Sequence, residues 1–183
     1  MRLFIGIDLD NRIKEELFKI IENLKKLKLD AKWVKKENLH LSLKFLGETS
    51  EDKLEKIKEI ISKTSQNFSS LEISTQNFGF FPNENYPRVF FVNTDKEEEL
   101  KKIVSFLEDR LEEIGFEKEN RFKSHITLAR FRSLKNIDVL KKELKNISIS
   151  LRFNFTEICL FKSTLTFDSP IYEVIFKKEL NII

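Results

Sequence analysis

Two short stretches, "NLHLSLKFLG" at residues 38–47 and "KSHITLARFR" at residues 123–132, contain both histidines of this 183-residue chain. In each stretch the histidine is followed by an apolar residue, a hydroxyl residue and a leucine. From each histidine to the leucine three residues later, polar and apolar residues alternate, which is typical of a β-strand with one buried face. Together they predict two related strands, each with a histidine near its start.

The alternation also assigns side chains to faces, because successive residues of a strand point to opposite sides. His40 then shares a face with Ser42 and Lys44, and His125 shares a face with Thr127. The leucines point to the other side and are expected to face the core. Each imidazole and its hydroxyl are expected roughly 7 Å apart along the strand. The side that carries the histidines, called here the histidine face, is therefore the expected ligand surface.

The order of elements around the two stretches repeats. In each half a strand is followed by an amphipathic helix and then by the histidine strand, and corresponding positions lie about 85 residues apart. Each helix follows an aspartate, Asp10 or Asp95, and Asp10 or Asn11 can cap the first helix. We therefore predict a single α+β domain over residues 1–183. It would be a duplicated unit with repeats of roughly 1–85 and 86–183, and a pseudo-two-fold axis would bring the histidine strands together.

Other segments complete this interpretation. Helical spacing of apolar residues predicts helices at residues 12–28, 51–65, 96–114 and 137–145, with Gly115 ending the third. The segments "ISISLRFNF", "EICLFKSTLTF" and "YEVIFKKEL" predict three strands that pair in chain order as a meander.

Composition excludes several classes of protein. The net charge of +3 is too small to indicate a strongly basic nucleic-acid-binding domain, although it permits a local basic groove. A single cysteine allows no intrachain disulfide and no thiolate metal cluster. No signal peptide or membrane span is expected, which favours a cytoplasmic protein.

The paired motifs favour acid–base chemistry. An imidazole has an ordinary pKa near 6.5, so one ring can be neutral and the other protonated near pH 7. Two such rings on opposite sides of a phosphorus atom could serve as general base and general acid, while hydroxyls bind the phosphoryl oxygens. With no Asp, Glu or Cys next to the histidines on their face, a metal site is not expected.

Several segments together resemble the 2H phosphoesterase superfamily, and within it the RNA 2′,3′-cyclic phosphodiesterases of the 2′-5′ RNA ligase family. They are "RLFIGIDL", "WVKKENLHLSLKFLGE", "PRVFFV", "FKSHITLARFR" and "LFKSTLTFDSPIYEV". The resemblance implies a bilobal fold in which two antiparallel sheets line a central cleft with helices outside. It also implies metal-independent, cofactor-free hydrolysis of a terminal 2′,3′-cyclic phosphate on RNA to a 2′-phosphate.

Carried over by position, the resemblance makes His40 the proton donor to the leaving 3′ oxygen and His125 the proton acceptor that activates water. Ser42 and Thr127 would bind the phosphate. The first motif has Ser where Thr is commoner, which keeps the hydroxyl. Because the motifs are chemically alike, the acid and base roles could also be exchanged.

Two more positions match the family, and alternation argues against both. Phe45 would stack on a nucleobase, and Arg130 would contact the phosphate or the terminal nucleotide. Each lies five residues after its histidine, so strict alternation puts it on the opposite face. A β-bulge near Gly47 or Arg130 would be needed to turn these side chains in. Lys162 and Ser163 are further candidates to line the cleft.

The expected partner is RNA with a 2′,3′-cyclic phosphate end, with tRNA fragments among the candidates, and a monomer without membrane association is expected. Three alternatives stay open at this point. The same residues could join tRNA halves as a 2′-5′ RNA ligase, the chain could bind RNA without catalysis, or it could be a metal enzyme. Intact histidines and hydroxyls in both motifs favour a catalyst over a binding module.

Overall fold

The computed structural model describes residues 1–182, which form a mixed α+β protein. The helices are α1 Asn11–Lys25, α2 Leu54–Asn67, α3 Glu97–Glu113 and α4 Ile137–Leu144. The strands are β1 Arg2–Asp8, β2 Ala31–Trp33, β3 His40–Glu48, β4 Leu71–Phe81, β5 Val89–Thr94, β6 His125–Phe131, β7 Arg152–Phe155, β8 Glu157–Thr164 and β9 Ile171–Glu179. Each predicted helix is present, with ends that differ from the prediction by a few residues.

The strands form one antiparallel sheet in the order β7-β4-β5-β6-β3-β1-β8-β9, with β2 also paired to β6. This confirms the predicted α+β class with antiparallel pairing. The two expected sheets are the two halves of this sheet, and Leu41 of β3 pairs with Ile126 of β6 where the halves meet. The halves therefore join within the two histidine motifs.

Each half of the sheet contains strands from both halves of the chain. Strands β8 and β9 extend the half that contains His40, whereas β4 extends the half that contains His125. The predicted C-terminal meander is wrong in one pairing, because β7 pairs with β4 and not with β8. Phe153 and Phe155 of β7 are buried in the core, where they pair with Ile73 and Leu71 of β4. The duplication itself stays a prediction.

Local signals explain two helix ends. Of the two candidate caps, Asp10 is the one that caps α1, because its carboxylate accepts a hydrogen bond from the Ile13 amide at 2.9 Å. Asp95 does not cap α3, since its carboxylate accepts from the Ser74 amide at 2.7 Å instead. Gly115 follows α3 with φ of +91°, a conformation that glycine adopts without strain. The helices α1 and α3 therefore begin by different means.

One large core lies between the helices and one face of the sheet, called here the core face. The buried residues of α1, α2 and α3 belong to the same cluster as the leucines of the histidine strands, for example Leu41, Leu43 and Leu128. The predicted direction of the leucines is therefore confirmed, and the histidine face lies on the side away from the helices. No helix within residues 1–182 is long and apolar enough to cross a membrane.

Candidate active site

A β-bulge in β3 decides which side chains reach the histidine face. Ile5 of β1 pairs with Lys44 but Gly6 pairs with Ser42, so Leu43 is an extra residue in β3. The extra residue reverses the alternation beyond it. Lys44, predicted on the histidine face, therefore points into the core, where it is only 3% exposed. That prediction is wrong, and the same bulge turns Phe45 onto the histidine face.

A matching bulge occurs in β6. Phe90 of β5 pairs with Ala129 but Phe91 pairs with Thr127, so Leu128 is the extra residue. Arg130 is thereby placed on the same face as His125 and Thr127. Each bulge lies three residues after its histidine, earlier than the positions near Gly47 or Arg130 that alternation suggested. The structure thus brings all six predicted site residues to one face of the sheet.

Hydrogen bonds orient the ring of His40. Its Nδ1 lies 2.7 Å from the backbone carbonyl of Asn38, and its Nε2 lies 2.8 Å from Oγ of Ser42. A carbonyl oxygen can only accept, so Nδ1 carries a proton in this contact. In the neutral ring, Nε2 then accepts the hydroxyl proton of Ser42. The lone pair of the neutral His40 ring is therefore on Nε2, where it accepts from Ser42.

His125 is held in the same way. Its Nδ1 donates to the backbone carbonyl of Lys123 at 2.7 Å, again two residues before the histidine. Nε2 is therefore the nitrogen available for proton transfer in both rings.

The pairing of Leu41 with Ile126 brings the two motifs side by side. Extending that register by one residue puts His40 across from Thr127, and His125 across from Ser42. The two histidines are then diagonal neighbours on adjacent strands, on the order of 7–8 Å apart. A phosphate group between them could contact both rings and both hydroxyls.

Aromatic side chains surround both imidazoles. The ring centroids of Phe4, Tyr172 and Phe161 lie 4.8, 5.2 and 5.8 Å from that of His40. Those of Phe81 and Phe91 lie 4.9 and 5.2 Å from that of His125. Sequence reasoning missed all five. Strand alternation could have found Phe4, but Tyr172 reaches the site only through the pairing of β9 with β8.

Burial lowers the pKa of both imidazoles, because a desolvated ring resists protonation. The pKa of His40 falls to about 4, and a positive charge on His125 lowers it further. The pKa of His125 is also lowered, first by burial and then by the nearby charges of Arg130 and Lys123. Both rings are therefore mainly neutral near pH 7 without a ligand.

The other predicted residues lie near the two histidines, with the exception of Lys162. Phe45 is 55% exposed, and its ring centroid is 5.9 Å from that of Phe4. Arg130 is exposed. Ser163 pairs with Arg2 on the histidine face, whereas Lys162 pairs with buried Leu3 on the core face and does not reach the site.

No group of three or more His, Cys, Asp or Glu side chains within residues 1–182 is arranged to hold a metal ion. Metal-independent chemistry stays a prediction for the chain.

A family model described as "LigT like Phosphoesterase" matches the chain twice, at residues 7–91 and 92–172. The chain belongs to the LigT-like phosphoesterase family. The resemblance inferred from the paired motifs is thereby confirmed, and so is the phosphoesterase class of enzyme.

Curated relatives match almost the whole chain. A protein of Methanocaldococcus jannaschii named RNA 2′,3′-cyclic phosphodiesterase is 38% identical over 96% of this chain and 98% of its own length. A protein of Thermotoga maritima with the same name is 34% identical over 97% of this chain and 94% of its own length. A crystal structure of a Thermus thermophilus protein matches with a TM-score of 0.83 and 26% identity, covering 98% of both chains.

Proposed function

We propose that this phosphoesterase hydrolyses the terminal 2′,3′-cyclic phosphate of RNA and leaves a 2′-phosphate. One observation carries the proposal. The two imidazoles lie on the same face where the halves of the sheet meet, and each is held by a carbonyl so that Nε2 is available. The names of the relatives support RNA ends as the substrate.

In the proposed reaction, the oxygen of a water molecule attacks phosphorus while His125 takes a proton from that water. The bond from phosphorus to the 3′ oxygen breaks, and His40 gives that oxygen a proton. The products are a 2′-phosphate and a free 3′-hydroxyl. This in-line displacement needs one proton acceptor and one proton donor on opposite sides of the phosphorus, and two imidazoles can supply both.

His40 must be protonated to act as the donor, although burial lowers its pKa to about 4 in the free protein. A bound cyclic phosphate is an anion, and a nearby negative charge favours the protonated imidazole. Substrate binding is thus expected to raise the pKa of the donor. If His125 gains the proton instead, the two roles are exchanged.

The remaining residues would bind the substrate. Once His40 is protonated, its Nε2 no longer accepts from Ser42, and the hydroxyls of Ser42 and Thr127 would donate hydrogen bonds to the phosphoryl oxygens, which gain charge in the transition state. The exposed ring of Phe45 would stack on the terminal base, and Arg130 would offer its guanidinium to phosphate. No cofactor takes part. We also propose that the chain is a cytoplasmic protein that forms a single domain and acts as a monomer.

The ligase reaction is the nearest alternative, since it joins ends through the same residues. The discriminating experiment incubates the protein with RNA that ends in a 2′,3′-cyclic phosphate, with and without a second RNA that has a 5′-hydroxyl. Hydrolysis to a 2′-phosphate in both reactions supports the proposal. Joined product without hydrolysis would make the chain a ligase, and RNA binding without any product would make it a binding module.

A further inference from the structure

A single peptide group connects the carboxylate of Glu97 to the ring of His125. The peptide between Lys123 and Ser124 accepts a hydrogen bond from Nδ1 of His125 through its carbonyl at 2.7 Å. The N–H of the same peptide donates to Oε2 of Glu97 at 3.3 Å. Glu97 is the first residue of α3, and Lys123 and Ser124 directly precede β6. The start of α3 therefore contacts the backbone group that holds the second histidine.

Further contacts fix this peptide and this carboxylate. Ser124 is fully buried, and its hydroxyl is hydrogen-bonded to the hydroxyl of buried Thr94 on β5. The Thr94 amide also donates to the Ser124 carbonyl at 3.4 Å. Nζ of Lys123 and Nζ of Lys101 lie 4.0 and 3.3 Å from the carboxylate oxygens of Glu97. The peptide and the carboxylate are therefore both held in the orientation that joins them.

The first motif has the same arrangement with a neutral acceptor. The carbonyl of Asn38 accepts a hydrogen bond from Nδ1 of His40. The N–H of that peptide belongs to Leu39 and donates to the Lys36 carbonyl at 3.2 Å. A carboxylate accepts a stronger hydrogen bond than a carbonyl does, and hydrogen bonds in a chain polarise one another. The Lys123 carbonyl is therefore the more strongly polarised of the two and stabilises a protonated imidazole better.

Charged groups face His125 from several parts of the fold. Burial lowers the pKa of His125 most, and the charges of Arg130 and Lys123 lower it further. The hydrogen bond to the Lys123 carbonyl and the charge of Glu97 on α3 act in the opposite direction. Across the cleft, the pKa of His40 is lowered mainly by burial and further by a positive charge on His125. Strands β4 and β5 contribute aromatic rings. Glu97 thus offsets the effect of the cations on His125.

We propose that Glu97 is a positioning residue that acts on His125 through the Lys123–Ser124 peptide. The peptide transmits the negative charge of the carboxylate to Nδ1 and stabilises the imidazolium that forms when His125 takes a proton from water. In that step the water oxygen bonds to phosphorus and its proton moves to Nε2, while Nδ1 keeps its own proton. This inference rests on the proposed function, since it assigns a supporting residue to the proton acceptor of that reaction.

The test uses Glu97→Gln, which keeps the size of the side chain and an acceptor oxygen but removes the charge. In an NMR titration of the free protein, the pKa of His125 should fall by about half a unit, while that of His40 should not change. On RNA that ends in a 2′,3′-cyclic phosphate, kcat should fall about threefold with little change in KM, because a weaker base takes up the proton less readily. Glu98→Gln is the matched control, because Glu98 lies in the same turn of α3 and contacts Lys101 at 3.0 Å. It should leave both titrations and kcat unchanged.

An unchanged pKa of His125 in Glu97→Gln, an equal fall for both histidines, or the same fall in Glu98→Gln would overturn the connection. A fall in the pKa of His125 without a fall in kcat would overturn the positioning role. The titration needs no substrate, so it separates this inference from the proposed function. If the wild-type protein hydrolyses no cyclic phosphate, the proposed function fails, while a fall confined to His125 still supports the connection from Glu97 to its ring.

Discussion

The backbone carbonyl of Asn38 accepts a hydrogen bond from Nδ1 of His40 at 2.7 Å, while the Asn38 side chain donates one to the Pro170 carbonyl at 2.7 Å. Asn38 is buried, and Pro170 directly precedes β9, which carries Tyr172. The Tyr172 ring packs edge-on against His40. Asn38 thus connects the orientation of His40 to the segment that buries its ring.

Asn38→Ala is expected to loosen this connection. The Pro170 carbonyl loses its donor, the segment before β9 becomes less fixed, and water gains access to His40. We expect kcat to fall about tenfold with a smaller change in KM, and the pKa of His40 to rise from about 4 toward its ordinary 6.5. Histidine NMR titration and steady-state kinetics measure both effects.

Asn181→Ala is the matched control for Asn38, because the Asn181 side chain makes a similar bond to the Gln66 carbonyl at 2.8 Å. It should leave the titration of both histidines unchanged. A His40 titration in Asn38→Ala identical to that of the wild-type protein would contradict the positioning role.

The titration of the two histidines is a second prediction. Without ligand, His40 should protonate only near pH 4, and His125 below its ordinary range. Because the unfolded chain takes up these protons at higher pH, the free energy of unfolding should decline as pH falls from about 6.5 toward 4. A nucleotide 2′-phosphate should raise the pKa of the donor by at least about one unit. Because the chain has only two histidines, an NMR titration resolves the pKa of each ring. If the nucleotide raised only the pKa of His125, His125 would be the donor and His40 the acceptor.

The bulge in β3 yields a prediction about stability. Buried Lys44 lies 3.1 Å from Oε1 of Glu108 on α3 and donates to the Glu117 carbonyl at 2.7 Å. Lys44→Met leaves the Glu108 carboxylate buried without its cation, which should lower the free energy of unfolding by about 3–5 kcal/mol. Lys44→Met with Glu108→Leu should recover most of this loss. Urea denaturation measures all three proteins.

The exposed pair of Lys101 and Glu98, 3.0 Å apart on α3, provides the control for the buried pair. Lys101→Met should change the free energy of unfolding by less than about 1 kcal/mol. If Lys44→Met were as mild, the predicted cost of leaving Glu108 buried without its cation would be wrong.

A fourth prediction concerns metal ions. Full phosphodiesterase activity should remain after dialysis against EDTA, because the proposed proton transfers use only imidazoles. Added Mg²⁺ should not increase kcat by more than the change that the higher ionic strength alone causes. A loss of activity that returns with a divalent cation would contradict the mechanism.

Much of the fold followed from local patterns. Alternation around His40 and His125 placed the leucines in the core and the hydroxyls beside the imidazoles, because those residues precede the bulges. Alternation placed Lys44 on the wrong face, because the position of a bulged residue such as Leu43 cannot be recognised in a single sequence. It also could not show that Tyr172 packs against His40, because the pairing of distant strands is decided by the whole core.

The central claim is that His40 and His125 act together as one acid–base pair on a cyclic phosphate. Single-turnover rates of His40→Ala, His125→Ala and the double variant on RNA ending in a 2′,3′-cyclic phosphate test it most directly. The single-turnover rate of each single variant should be lower than that of the wild-type protein on the order of 10³-fold. The rate of the double variant should be little lower still, as expected for residues that act as a unit. Either single variant with a rate close to that of the wild-type protein would contradict the account.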